Sequence, residues 1–464
     1  MVNALPPIVI DNGLSTTRAG FALEELPSLV FNTNYVVGSD GTPAFGDEAI
    51  VENAGADVMT IMDDGVVYNT DNARHNWDHV FRNLDGSNGA NASEHALMAT
   101  ENVWTANKTR AQMAQIAFED FQVPLFSLVK TPLAQLYQMG RSSGLVIDVG
   151  SAVASVTPIL DGIIQQKSSF HSKYAGDFLS LHCLRSLEAK LSAPGTQLDY
   201  TKLMPSQFQT SALSESFKQY HVTQHLLGHF KHTMLSTAEA PPGMPASNSY
   251  YPLAPHQRPA LFQLPDGTHV SYTDQELTNL TEPLFVPHAY PLAGLTLPEP
   301  AFNKAGSHGV SNLALFSIKN LEAAFLASMG SESQGANASA RFNEILRQLF
   351  SSTLITGGTA LVPGFADRVC GDLSRTAPQL LPGYIVTGSY KLYISPLRNH
   401  NTGSLNDIFD KKFGAWLGAA NLASMLRENT ETESSSMGIA LDNWFVSKAD
   451  YEEMGEDLIA EKFK

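Results

Sequence analysis

Runs of Val, Ile and Leu break into glycine-containing turns at three places along the chain. The first is Ile8-Val9-Ile10-Asp11-Asn12-Gly13. Leu145-Val146-Ile147-Asp148-Val149-Gly150 repeats its plan, and Ser155-Val156-Thr157-Pro158-Ile159-Leu160-Asp161-Gly162 follows as a second strand and turn. Apolar, β-branched runs that end in Asp and Gly predict sheet strands feeding tight hairpins. Recurrence of the motif suggests a duplicated domain, although two unrelated hairpins would read the same way. The third run, Ser352-Thr353-Leu354-Ile355-Thr356-Gly357-Gly358-Thr359, is another buried strand. It ends in a glycine pair where backbone can approach a ligand closely.

Helical spacing is weaker. Met113, Ile116, Ala117 and Phe121 predict a helix over 109–121, and Ala134 to Met139 continues a helix that stops before Gly140. Another helix should start near Ala366-Asp367-Arg368, and Lys412 to Leu426 reads as one helix. The stretches 236–260, 300–312, 330–340 and 398–407, rich in Pro, Gly, Ser, Ala or Asn, read as surface loops, as does the acidic 428–436.

At 464 residues the chain exceeds what one core organises, so two or more domains are expected. Its composition, 43% apolar and 16% charged, is that of an ordinary globular protein. A formal charge of -17 repels phosphate backbones, which argues against broad nucleic-acid binding and favours a basic protein segment as partner. Two distant cysteines, Cys183 and Cys370, exclude a disulfide framework and fit a reducing compartment. Nothing reads as a signal peptide, a membrane span or a basic nuclear-import cluster. The 14 histidines show no metal spacing. Trp77, Trp104 and Trp444 read as packing anchors, and the sequons at Asn91, Asn107, Asn279 and Asn337 as chance.

The order strand–Asp-Asn-Gly, strand–Asp-Val-Gly, strand–Thr-Gly-Gly-Thr-Ala-Leu-Val-Pro-Gly-Phe-Ala-Asp-Arg resembles the actin branch of the actin, Hsp70 and sugar-kinase superfamily. Further matches run in order along nearly the whole chain: Gly46-Asp47-Glu48-Ala49, the stretch Gln112 to Glu119, Leu136-Tyr137 with Gly140-Arg141, Leu264-Pro265-Asp266-Gly267, Pro283-Leu284-Phe285, and Trp444 to Glu453. The resemblance implies an α/β fold of duplicated ribonuclease H-like domains around a nucleotide cleft. The first lobe would comprise 1–140 and 414–464, with a small subdomain at 33–61. The second would comprise 141–413, with a small subdomain at about 175–289. Gly176-Asp177-Phe178-Leu179, Phe230-Lys231 with Met234-Leu235, and Ala415-Trp416-Leu417-Gly418-Ala419 are similar to the fungal actin-related proteins of chromatin remodellers, in particular the type numbered seven in SWI/SNF and RSC.

In this family two acidic turns cradle the ATP phosphates and a hydrated Mg²⁺. The resemblance assigns Asp11, Gly13, Asp148 and Gly150 to those turns, Gly357, Gly358 and Thr359 to the adenosine side, and Lys231 and Lys412 to the flanks of adenine and ribose. The first loop departs from the pattern. Leu14 and Ser15 stand where Ser and Gly are expected, and Arg18 replaces a lysine. Leu14 removes a hydroxyl donor, Ser15 is less permissive of positive φ than Gly, and Arg18 keeps the charge in a different geometry.

The hydrolytic positions depart further. Where actins position the attacking water with Gln, Asp and His, this chain has Thr131, Ser151 and Ser155. None of these is a base at neutral pH, and each lost group costs roughly 10²- to 10⁴-fold in rate. The expectation is no hydrolysis, no catalytic residue and no dedicated metal site; either ATP is held with Mg and left intact, or Asp11, Asp148 and the glycines only shape turns around an empty cleft.

Two surfaces complete the reading. Val36 to Phe45 leads straight into Gly46, so the loop that inserts between subunits of an actin filament looks truncated, and self-assembly into filaments is not expected. On the helix from Lys412, Phe413, Trp416, Leu417 and Ala420 form a core-facing stripe, while Gly418, Leu422, Met425 and Leu426 form a second one. A second apolar stripe implies a partner or a covering segment. By resemblance, Tyr137, Met139, Gly140, Leu422 and Met425 would line a groove for a basic amphipathic helix, unless the segment from Asn443 covers it. The expected role is that of a non-catalytic nuclear subunit that pairs with a second actin-related protein on a helix of a remodelling ATPase. The alternative is an active actin-fold ATPase, either cytoskeletal or a phosphotransferase.

Overall fold

A computed structural model describes residues 5–86, 89–192, 199–208, 212–242, 259–329, 336–384, 404–427 and 443–463. The chain divides into two compact units, Met1–Gly140 with Phe413–Lys464, and Arg141–Lys412.

The first unit is built on a six-stranded sheet. Its centre is the strand Ile8–Asn12, whose apolar residues are fully buried. This strand pairs antiparallel with Thr16–Phe21 (Asp11 opposite Arg18) and parallel with Leu97–Glu101. Leu29–Asn32 and Leu125–Lys130 extend the sheet on either side, and Val446–Ser447 closes the far edge. Trp77, Phe118 and Phe126 fill one face, and Trp416 fills the other, with its Nε1 donating to the Val9 carbonyl at 3.1 Å. A buried carboxylate, Glu101, accepts from both Arg110 and Lys130. Lys130 also reaches the Phe463 carbonyl at 3.2 Å, which pins the end of the chain to the sheet.

The second unit repeats the strand order. Gly144–Val149 pairs antiparallel with Ala154–Leu160 and parallel with Thr353–Thr356. In both units, then, an antiparallel hairpin meets a later parallel strand on the free side of its first strand. That shared plan and the actin-like α/β fold agree with the expected duplication. Asp161 and Gly162 turn Ala154–Leu160 back into the short strand Ile163–Ile164 at φ 50° and 79°, the left-handed pair that such a tight turn demands. Arg368, fully buried, donates to both Glu282 oxygens at 2.5 and 2.9 Å and lies 4.4 Å over the Phe285 ring. It thereby ties the Pro283-Leu284-Phe285 motif to the helix Phe365–Leu380.

Several expectations about elements need correction. The helix predicted over 109–121 is α-helical over Asn107–Gln115 and then a π-helix over Ile116–Asp120. The helix expected from Lys412 begins at Ser404, and a helix not expected from the sequence begins at Val310, so 404–407 and 310–312 are helical rather than looped. Residues 336–340 likewise open the helix Ala336–Ser351. The remainder of the 330–340 and 398–407 loops, 243–258 of the 236–260 loop, and all of 428–436 lie outside the described residues. The short loop before Gly46 is a closed hairpin. Val37 pairs with Pro43, the Gly38 amide donates to the Thr42 carbonyl at 2.9 Å, and Asp40 accepts from Thr42.

Candidate functional site

In the first unit the turn after Ile8–Asn12 is held by side chains. Asp11 is buried, and both of its oxygens are engaged: Oδ2 accepts from Arg18 Nη1 at 2.7 Å and Oδ1 from Thr100 Oγ1 at 2.6 Å. Arg18 reaches Asp11 because the antiparallel register sets them opposite each other. Its Nη1 lies 3.1 Å from where a Gly13 Cβ would stand, and its guanidinium is 6.0 Å from the Phe413 ring centre. Behind the turn, Asn12 links to Asn76 and Trp77 at 2.8 and 2.9 Å, and Thr33 Oγ1 donates to the Gly13 carbonyl at 2.6 Å. Leu14 packs half-buried against the core, so the lost hydroxyl is replaced by apolar contact. Ser15 is absent from the positive-φ residues; its backbone is therefore not strained, contrary to the expectation for a Gly replacement.

In the second unit the matching turn is held mainly through its backbone carbonyls. The Gly150 carbonyl accepts from Thr359 Oγ1 at 2.7 Å and from the Gly176 amide at 3.0 Å, and the Ser151 carbonyl accepts from the Asp177 amide at 2.7 Å. Gly176 and Asp177 open a 16-residue helix. Such amides are free to face an anion; here the first two are spent on the neighbouring loop. Gly357 sits at φ 92°, where a Cβ would drive into Asp148 Oδ1 and the Val149 carbonyl. Gly358, by contrast, faces open space. Lys231 turns inward, donating to the Gly176 carbonyl at 3.1 Å and Ser180 Oγ at 2.8 Å, and burial lowers its pKa. Lys412 is exposed.

The three positions that replace the hydrolytic residues divide between the units. Thr131 belongs to the first unit and donates to the Glu101 carbonyl at 3.2 Å. Ser151 donates to Asp177 Oδ1 at 2.8 Å, and Ser155 sits opposite Asp148 in the hairpin. Thr131 and Ser151 are thus committed to structural acceptors. In the first unit the donor set suits an anion better than a hydrated cation, because Asp11 is already neutralised by Arg18. Among the described residues no cluster of three or more His, Cys, Asp or Glu could hold a metal, and no helix is long and apolar enough to cross a membrane.

The proposed helix groove lies in the first unit and is smaller than expected. Leu422 is buried with Leu426, Ala134 and Phe445 in one core cluster, so it does not line a groove. Gly418 explains the change. It lies so close to the Ala134 backbone that a Cβ could not be accommodated, which brings the second stripe onto the helix Thr131–Gln138. Phe445, from the distant end of the chain, covers the rest. Tyr137, Met139 and Met425 stay half-buried, Gly140 is exposed at φ 66°, and Asn421 bonds Gln138 at 2.7 Å along the seam. The sequence reading missed Trp444 as part of this face. Its ring stands edge-on to Tyr137 at 6.1 Å. The signal was the aromatic pair just before the strand Val446–Ser447, in which Phe445 is buried and Trp444 packs half-buried against the same cluster.

Comparisons with known proteins agree with this architecture. The sequence profile described as Actin matches residues 2–464. The chain is 27% identical to "Actin-related protein 4" of Yarrowia lipolytica, over 98% of this chain and 95% of that protein. It is 26% identical to the "SWI/SNF and RSC complexes subunit arp42" of Schizosaccharomyces pombe, over 99% of both chains. "Actin-related protein 4" of Arabidopsis thaliana is 23% identical over 98% of each. A profile match spanning essentially the whole length, on two units that share one strand plan, means that the chain belongs to the actin family.

Proposed function

We propose that this chain is a non-catalytic, actin-related subunit of a nuclear, ATP-dependent chromatin-remodelling complex of the SWI/SNF or RSC type. Full-length likeness to a protein named as a subunit of both complexes supports the assembly. The observation that carries the non-catalytic reading is the set Thr131, Ser151 and Ser155. These small hydroxyls replace a water-positioning amide, carboxylate and imidazole, and two of them donate to structural acceptors. The type numbered seven rests on the motifs Gly176–Leu179, Phe230–Leu235 and Ala415–Ala419. The relatives named above carry other numbers, and a quarter identity does not choose between types.

Within the complex the chain would bind a helix of the remodelling ATPase together with a second actin-related protein, and so assemble or regulate the motor. Tyr137, Met139, Gly140, Met425 and Trp444 are the residues proposed for that contact. The negative charge of the whole chain favours a basic helix. A nucleotide fits this proposal as a bound, unhydrolysed ligand. Within the second unit, Gly150 would serve its phosphates, Gly357, Gly358, Thr359 and Lys412 its adenosine side, and Asp148 the waters of any Mg²⁺.

A pull-down with a remodeller ATPase helix and its second actin-related protein tests the assembly. Retention is expected, with loss in a Met139→Glu variant. Failure of the unaltered chain to be retained would count against the proposal.

A further inference from the structure

One helical rod of the second unit carries a histidine pair that has no part in the proposed contacts. Glu215–Tyr220 is α-helical, His221–Leu226 is a π-helix, and Leu227–Met234 is α-helical again. A π-turn within an α-helix often marks a functional position. His221 opens this one, and His225 follows four residues later on the same face. Spacing along the sequence does not single out the pair, because the chain has 14 histidines and two ligands lack the four-ligand pattern of a structural zinc site.

Three features give the pair a chemistry. The ring centres of His221 and His225 lie 4.9 Å apart. Imidazoles that share one tetrahedral ion, each nitrogen about 2.0–2.1 Å from it, hold their ring centres roughly 5 Å apart. His221 is also braced: it is half-buried, with Phe217 stacked against it at 6.2 Å and Phe208 edge-on at 5.6 Å, while His225 is exposed. Finally, burial and then the neighbouring His225 push the His221 imidazole down to about 4. At neutral pH it therefore carries no extra proton for an ion to displace.

We propose that His221 and His225 are the two protein ligands of a site for one divalent ion of the zinc, nickel and copper class. Imidazole nitrogens favour these ions over Mg²⁺ or Ca²⁺, which take oxygen ligands. Among the described residues no third His, Cys, Asp or Glu completes a cluster, so water fills the remaining positions. The site is therefore an open one, able to accept a further ligand from outside, rather than a closed structural centre. It lies wholly in the second unit and does not depend on the assembly proposed above.

The test is calorimetric titration of the full chain with Zn²⁺ in a buffer that does not chelate it. Zn²⁺ should bind, and an excess of Mg²⁺ should not displace it. His225→Ala should weaken the tightest Zn²⁺ site by more than the roughly 10- to 100-fold that loss of an outer-shell partner costs. Because His225 is exposed, that variant should keep its melting temperature without metal. Saturating Zn²⁺ should raise the melting temperature of the unaltered chain and leave that of His225→Ala where it was. His229→Ala, about one turn further along the same rod, should bind Zn²⁺ as the unaltered chain does. Absence of Zn²⁺ binding to the unaltered chain would overturn the proposal. So would undiminished affinity in His225→Ala, or an equal loss in His229→Ala.

Discussion

The two turns that descend from one strand plan are braced by different means. In the first unit, long side chains do the holding: Arg18 and Thr100 close on Asp11, and the Asn12, Asn76 and Trp77 network lies beneath. In the second unit, backbone meets backbone, through Gly150 with Gly176 and through Gly357 against Val149. Side-chain bracing can be rewired one residue at a time, which is how Leu14, Ser15 and Arg18 are accommodated. Backbone bracing depends on glycines with no room for a Cβ, Gly176 and Gly357, and those positions still match the family pattern.

The largest expected effect follows from that contrast. Gly357→Ala places a methyl into Asp148 and Val149 at a positive φ, and should destabilise the protein by about 3 kcal/mol. The corresponding change in the first unit, Gly13→Ala, meets only the Thr16 carbonyl at 3.0 Å and the movable Arg18 Nη1 at 3.1 Å. It should cost under about 1 kcal/mol. Denaturant unfolding of both variants checks the pair; equal losses would break the comparison.

Arg18→Leu comes next. It leaves the Asp11 carboxylate buried without its cation, at a cost of about 2 kcal/mol given that Arg18 is partly solvated. Arg18→Lys should recover part of this, and equal effects of the two changes would mean that charge plays no role there. Ser151→Ala removes one hydrogen bond to Asp177 and should cost about 1 kcal/mol.

A separate effect is on pH dependence. Burial against Phe178 depresses the His182 imidazole to about 4. The unfolded chain, at an ordinary value near 6.5, therefore binds the extra proton first. Stability should be full above about pH 6.5 and decline as the pH falls toward 4. His182→Phe should flatten part of that slope in unfolding experiments between those limits.

Parts of this picture were legible in the sequence for physical reasons. The strands at 8–12, 144–149 and 353–356 are rich in Val, Ile, Leu and Thr and largely buried, a pattern that survives any context. The π-helix at 116–120 was not legible, because the change from i→i−4 to i→i−5 bonding leaves apolar spacing nearly unaltered. The start of the helix at Ser404 was hidden by a neighbourhood rich in Asn and Gly. The fate of Leu422 turned on Phe445, a residue from the far end of the chain, and on how closely Gly418 approaches Ala134. Residue types marked the acidic turns, whereas the Arg18–Asp11 bond followed from strand register, which a lone arginine does not reveal.

The central claim is that actin-type water activation is missing from this chain, and Mg²⁺-dependent phosphate release from ATP by the purified protein tests it most directly. The account predicts no release above the spontaneous rate, with or without a second actin-related protein added. Sustained release at rates like those of conventional actin would contradict it.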